Sequence, residues 1–104
     1  MKSLVLVGLG NDEDNRRSYF VIKKEDSFKE SFNEILEKLR LEPPIPIEQS
    51  PISELENELD HHVNKEFDLD VIYTHDRIIL IVRAKPENLE RFKSLILAYS
   101  KMEE

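Results

Sequence analysis

Hydrophobic positions in this chain follow two patterns, short β-branched runs and longer stretches with helical spacing. Residues 70–74 and 77–83 are rich in Val, Ile and Tyr and stand either side of His75 and Asp76. Two such runs separated by two residues predict a β-hairpin, although His-Asp is a poorer turn pair than Asn-Gly. Pro86 then suits the first position of a helix, where its missing N–H would be unpaired anyway. Beyond it Leu89, Phe92, Leu95, Ile96, Tyr99 and Met102 recur three and four residues apart, which predicts a final helix with a broad apolar face. Leu97 and Ala98 widen that face past what one sheet contact requires.

The N-terminal part reads in a similar way. Residues 3–7 form an apolar run, followed by a charged loop that contains Gly8 and Gly10 and extends to Arg17. Residues 18–23 are a second strand, pairing with the first as a hairpin. Ser27 and Glu30 have capping-box spacing, and Phe28, Phe32, Ile35, Leu36 and Leu39 then share one helical face. That helix should end before Pro43 and Pro44, because a residue preceding proline is pushed out of the helical region.

Four of the five prolines fall within residues 41–51, which predicts a stiff, extended connector. Ser53 and Glu56 repeat the capping-box spacing, and a weaker helix to about Glu66 would carry a thin stripe of Leu55, Leu59, His62 and Val63.

The expected product is an α+β fold, a two-layer sandwich. A four-stranded, mostly antiparallel sheet in the order ββα-α-ββα carries its helices on one face. It forms one domain over residues 1–104, with a proline-rich, acidic insert at 41–66. An uncovered sheet face should alternate polar with apolar residues. Residues 4–7, 19–22 and 78–82 instead place bulky apolar side chains on both faces, so the acidic helix or another protein must cover the second one. The expected contact residues are Phe92, Leu95, Ile96, Tyr99 and Met102 of the last helix, with Ile79 and Ile81 of the strand before it.

Charge sharpens this picture. The net charge is −7, and residues 42–70 hold nine acids and a single base, Lys65. Glu54, Glu56, Glu58 and Asp60 therefore offer a second mode of action, a small acidic regulator or inhibitor that blocks a basic surface of its partner. No basic stripe suggests that the chain binds nucleic acid on its own. Arg16, Arg17, Lys23 and Lys24 read as a solvated strand edge guarded by charge. No apolar run approaches the ~20 residues of a membrane-spanning helix, and the N-terminus lacks a cleavage-site pattern, so the sequence reads as soluble and cytoplasmic.

Candidate chemistry is sparse. The chain has no cysteine, which excludes disulfides, zinc fingers and a thiol nucleophile. Gly8 and Gly10 follow a strand as a phosphate loop would, yet a third glycine is missing and a strand follows where a helix N-terminus is needed. His61 and His62, adjacent on a helix, would diverge by ~100° and could not converge on one ion. His75 reads as a turn residue. No serine sits in a nucleophile elbow, and the carboxylates lie on predicted solvent faces. The sequence thus predicts no catalytic residue, no metal, no cofactor and no small-molecule substrate, and points to association in a homodimer or heterodimer.

Residues 67–84, followed by 89–97, resemble the C-terminal half of the Pcc-type small subunit of the KEOPS complex, which makes N6-threonylcarbamoyladenosine in transfer RNA. Residues 18–39 would supply that family's first strand and helix. The resemblance implies a strand-helix-strand-strand-helix protein without catalytic residues, which dimerises and docks on the subunit that transfers the threonylcarbamoyl group. Three features depart from the family pattern. Lys93 and Ser94 replace an Asn-Ser pair, and an arginine of the last helix has no clear equivalent. Residues 3–7 and 41–66 are additions. Such changes suit a divergent paralogue that pairs with the family's own subunit.

Overall fold

Strand pairing organises the computed structural model, which describes residues 4–41 and 58–102. The elements in order are β1 (Leu4–Asn11), β2 (Arg17–Lys23), α1 (Phe28–Lys38), β3 (Glu58–Val63), β4 (Asp68–Tyr73), β5 (Arg77–Arg83), α2 (Pro86–Ala98) and β6 (Ser100–Met102). The strands form one six-stranded sheet in the order β3-β4-β5-β2-β1-β6. All neighbours are antiparallel except β1 and β6, which run parallel, so the sheet is mixed.

The central strands show why the fold forms. In β2, Ser18, Phe20 and Ile22 are buried and the residues between them are not; in β5, Ile78, Leu80 and Val82 repeat the pattern. Strand geometry sends alternate side chains to opposite faces, so these residues line one side of the sheet. Both helices lie on that side. Phe28, Phe32 and Ile35 of α1 and Leu89, Phe92 and Ile96 of α2 join Leu4, Leu6, Leu69 and Val71 of the sheet in one core. The rings of Phe20 and Phe67 flank Phe92 with centroids 5.6 and 5.9 Å away.

Local chemistry fixes the ends. Pro86 opens α2 as expected. Ser27 precedes α1 but makes no capping hydrogen bond with its side chain, because its own backbone is already helical (φ −75°, ψ −7°). The far end of α1 closes in a Schellman motif: Arg40 N–H donates to the Glu37 carbonyl and Leu41 N–H to that of Leu36, with Arg40 in the left-handed region at φ 56°. Asn64, in the β3–β4 turn, accepts the N–H groups of Glu66 and Phe67 at 2.8 Å. Its Nδ2 donates to the carbonyls of Leu39 and Arg40 at 2.9 and 3.2 Å, which ties the turn to the end of α1.

The architecture differs from the expectation in four respects. The sheet has six strands, not four. Residues 58–63, expected in a weak helix, form edge strand β3, hydrogen-bonded along its length to β4; residues 42–57, with the proline-rich connector and Ser53, lie outside the described residues. The last helix stops at Ala98, and residues 100–102 pair with β1 because that edge offers free backbone groups. Gly8 and Gly10, expected in a loop, are strand residues opposite Val21 and Tyr19, and the tight turn begins at Asp12, whose Oδ1 accepts the N–H groups of Arg16 and Arg17.

Two measurements test this account. Asn64→Ala leaves two backbone N–H groups and two carbonyls without their partner, and urea unfolding should show a loss of about 1–3 kcal/mol. Arg40→Gly relieves the left-handed backbone at a helix end and should raise stability by about 0.5–1 kcal/mol in the same assay.

Candidate association surface

The face of the sheet opposite the helices is built by register. Cross-strand partners share a face, so the alternate, half-exposed residues of each strand form rows across the sheet. One row is wholly apolar: Val21 of β2, Ile79 of β5, Ile72 of β4 and Leu59 of β3 are successive partners. Gly8 of β1 extends it beside Val21, with open space where a side chain would stand. The next row holds Gly10, Tyr19, Ile81, Asp70 and His61. A third row at the rim holds Arg17, Arg83, Asp68 and Val63. No described element covers these residues. Val5, on the same side of β1, is 8% exposed.

The rim is a charge network. His61 Nδ1 is 2.7 Å from Asp70 Oδ1, and its Nε2 lies 3.4 Å from Asp68 Oδ1. Asp68 Oδ2 in turn is 3.6 Å from Arg83 Nη1. Arg17 donates from Nη1 to the Tyr19 hydroxyl at 3.4 Å. That hydroxyl first, and Asp12 to a smaller degree, raise the Arg17 pKa above its ordinary value. Arg17 Nε and Asp68 Oδ1 are shielded atoms without a hydrogen-bond partner among the described residues.

Ligand atoms of His61, Asp68 and Asp70 lie within 4.8 Å of one another, the one such group among the described residues. A metal ion there would compete with the His61–Asp70 hydrogen bond, and Arg83, 3.6 Å from the other oxygen of Asp68, places a positive charge beside it. Sequence reasoning missed it because residues 61 and 62 were read on a helix. On a strand they point to opposite faces: His61 joins the rim, while His62, 2% exposed, packs edge-on to Phe32 at 6.1 Å.

The expected contact residues divide in the same way. Ile79 and Ile81 lie on the open face, half-exposed, and no described element covers that side of β5. Phe92 and Ile96 are 0% exposed, consumed by the chain's own core, and cannot meet a partner while the domain is folded. Leu95 and Tyr99 pack partly against that core. Met102 is 60% exposed, in β6 and not on the helix.

Of the acidic candidates, the two that are described belong to β3. Glu54 and Glu56 lie outside the described residues. Glu58 begins β3, and Asp60 points to the helix side, where it lines a cavity of about 430 Å³ with Lys24, Lys29 and Tyr73. The basic residues are scattered: Arg17 and Lys23 stand at opposite ends of β2, a central strand and not an edge. Among the described residues no helix is long and apolar enough to cross a membrane.

No family model, no curated protein sequence and no solved structure matches the chain.

Proposed function

We propose that the chain is a non-catalytic protein–protein interaction subunit whose contact surface is the open face of its sheet. The observation that supports it most directly is the apolar row of Val21, Ile79, Ile72 and Leu59, held in register on a face that no described element covers. Isolated surface apolar residues are ordinary, but a contiguous row flanked by charge has the composition of an interface core with its polar rim. In its most concrete form the subunit serves an accessory or dimerisation role in the KEOPS complex. The succession β2-α1-β4-β5-α2 gives that form its support, because it follows the element order the resemblance implies. The regulator reading draws little from the described acids, since Asp68 and Asp70 are already engaged by Arg83 and His61.

Exchanging Ile72 and Ile79 together for Lys tests the reading. Both side chains are half-exposed, so β-propensity and local packing should cost only ~1 kcal/mol of stability. Circular dichroism and melting temperature should change little. Removing the centre of an interface should cost at least ~2 kcal/mol of binding, about 30-fold in affinity. The tagged variant should therefore lose the proteins that the unsubstituted chain co-purifies from its native cells. Unchanged co-purification would show that the face is not the contact surface. A parallel substitution, Phe92→Ala, should instead remove about 3–5 kcal/mol of folding stability, as a core residue does.

A further inference from the structure

We infer that the cavity at the end of the sheet where β2 begins is a binding site for a small phosphate monoester. The inference does not use the apolar row and holds whatever covers the open face. The molecule would be a ligand of the chain and not its substrate.

Three connections meet at that end. The β1–β2 turn, the β3–β4 turn and the β5–α2 link together line about 550 Å³, within the ~300–1,000 Å³ of small-molecule sites. Hydrogen bonds fix the backbone of each connection. Asp12 Oδ1 accepts the N–H groups of Arg16 and Arg17 at 3.0 and 3.2 Å. Ala84 N–H donates to the Arg16 carbonyl at 3.1 Å, which ties the link to the first turn. Asn64 closes the β3–β4 turn. A site whose backbone is set in advance loses less entropy when it binds.

Charge selects the ligand. Of the lining acids, Asp68 faces Arg83 at 3.6 Å and Glu66 pairs with Arg91 at 3.0 Å. Asp12 holds its turn beside Arg17, which is engaged by the Tyr19 hydroxyl first and by the Asp12 charge more weakly. Arg16, Lys65 and Lys85 also line the cavity and form no ion pair among the described residues; Asp14 is the one lining acid of which the same is true. Three bases against one acid leave two positive charges. A phosphate monoester carries about −1.5 to −2 near neutral pH, and the guanidinium fork of Arg16 and the two ammonium groups suit its oxygens.

The surplus is local. The chain has a net charge of −7, so in general it repels anions. The cavity of about 430 Å³ beside α1 shows the contrast: there Lys24 and Lys29 stand among Glu25, Asp26 and Asp60, and no positive charge is left over.

Titrating the ¹⁵N-labelled full-length chain with glycerol 3-phosphate tests the site. Amide signals of residues 14–16, 65–66 and 84–85 should shift along one saturable curve, while those of residues 24–29 stay in place. Lys65→Gln and Lys85→Gln should each weaken binding by about tenfold. Asp14→Asn should tighten it by about threefold, and Lys29→Gln in the other cavity should change nothing. All four side chains are exposed, so circular dichroism should be unaltered in every variant.

Glycerol alone should cause no shift. Succinate should bind at least tenfold more weakly, and equal binding would overturn the assignment to phosphate. The absence of a saturable shift with glycerol 3-phosphate, or a curve indifferent to Lys65 and Lys85, would overturn the site. A short oligonucleotide or anionic vesicles that move the same amides at lower concentration would overturn the small molecule as its ligand.

Discussion

The unbroken antiparallel ladder between β2 and β5 is the constraint on which the other parts depend. Seven residues from Arg17 to Lys23 pair with seven from Arg83 to Arg77, without a bulge. Side chains alternate with a period of two, so a slip of one position would turn one strand over, sending either Phe20 and Ile22 or Leu80 and Val82 to the other face and Arg17 or Arg83 toward the core. The same register that seats both helices therefore sets the order of residues on the other face. Neither face can change its pattern without the other.

Those two strands also show how much of the fold was legible in the sequence. The hairpin around His75 and Asp76, the pairing of the first two strands and both helices follow from local signals: β-branched runs, helical spacing and Pro86. What escaped depended on partners distant in sequence. Leu55, Leu59 and Val63 are four residues apart, beside the capping-box pair Ser53 and Glu56, so residues 53–66 read as a helix, and of these the described residues 58–63 form β3. In β3 the usual polarity is inverted, with His62 buried against Phe32 while Leu59 and Val63 face outward. No short-range rule anticipates that. β6 was hidden for a related reason. Its three residues continue the apolar spacing of α2, and only the free edge of β1, with Leu4 N–H donating to the Tyr99 carbonyl at 3.0 Å, ends the helix there.

The burial of Phe92 and Ile96, two of the expected contact residues, follows from that miscount. Against four strands, the apolar width of α2 looks surplus, with Phe92, Leu95, Ile96, Tyr99 and Met102 as its expected contact residues. Against six strands both Phe92 and Ile96 are fully buried, while Leu97 of the same helix is 40% exposed. A further half-exposed apolar surface lies on the strands, at Val21, Ile72, Ile79 and Ile81. The doubly apolar strands were visible in the sequence; which side the helices would take was not, because alternation labels two faces without saying which is covered.

Association could in principle use the sheet's edges in place of its face, and the edges argue against it. An open edge invites another strand through unpaired backbone groups unless it is short, charged or distorted. β6 is three residues long and carries Lys101. β3 is six residues, with Glu58, Asp60 and two histidines among them, a composition that disfavours stacking against a like strand. Both edges are thus blunted, while the face between them keeps its isoleucines half-exposed. A chain with −7 net charge and short, charged edges has the means to prevent indiscriminate strand addition. The apolar row on its open face would then be a place where burial of further surface is favourable, and the rim formed by Arg17, Asp68, Asp70 and His61 would bear on the orientation in which that burial occurs.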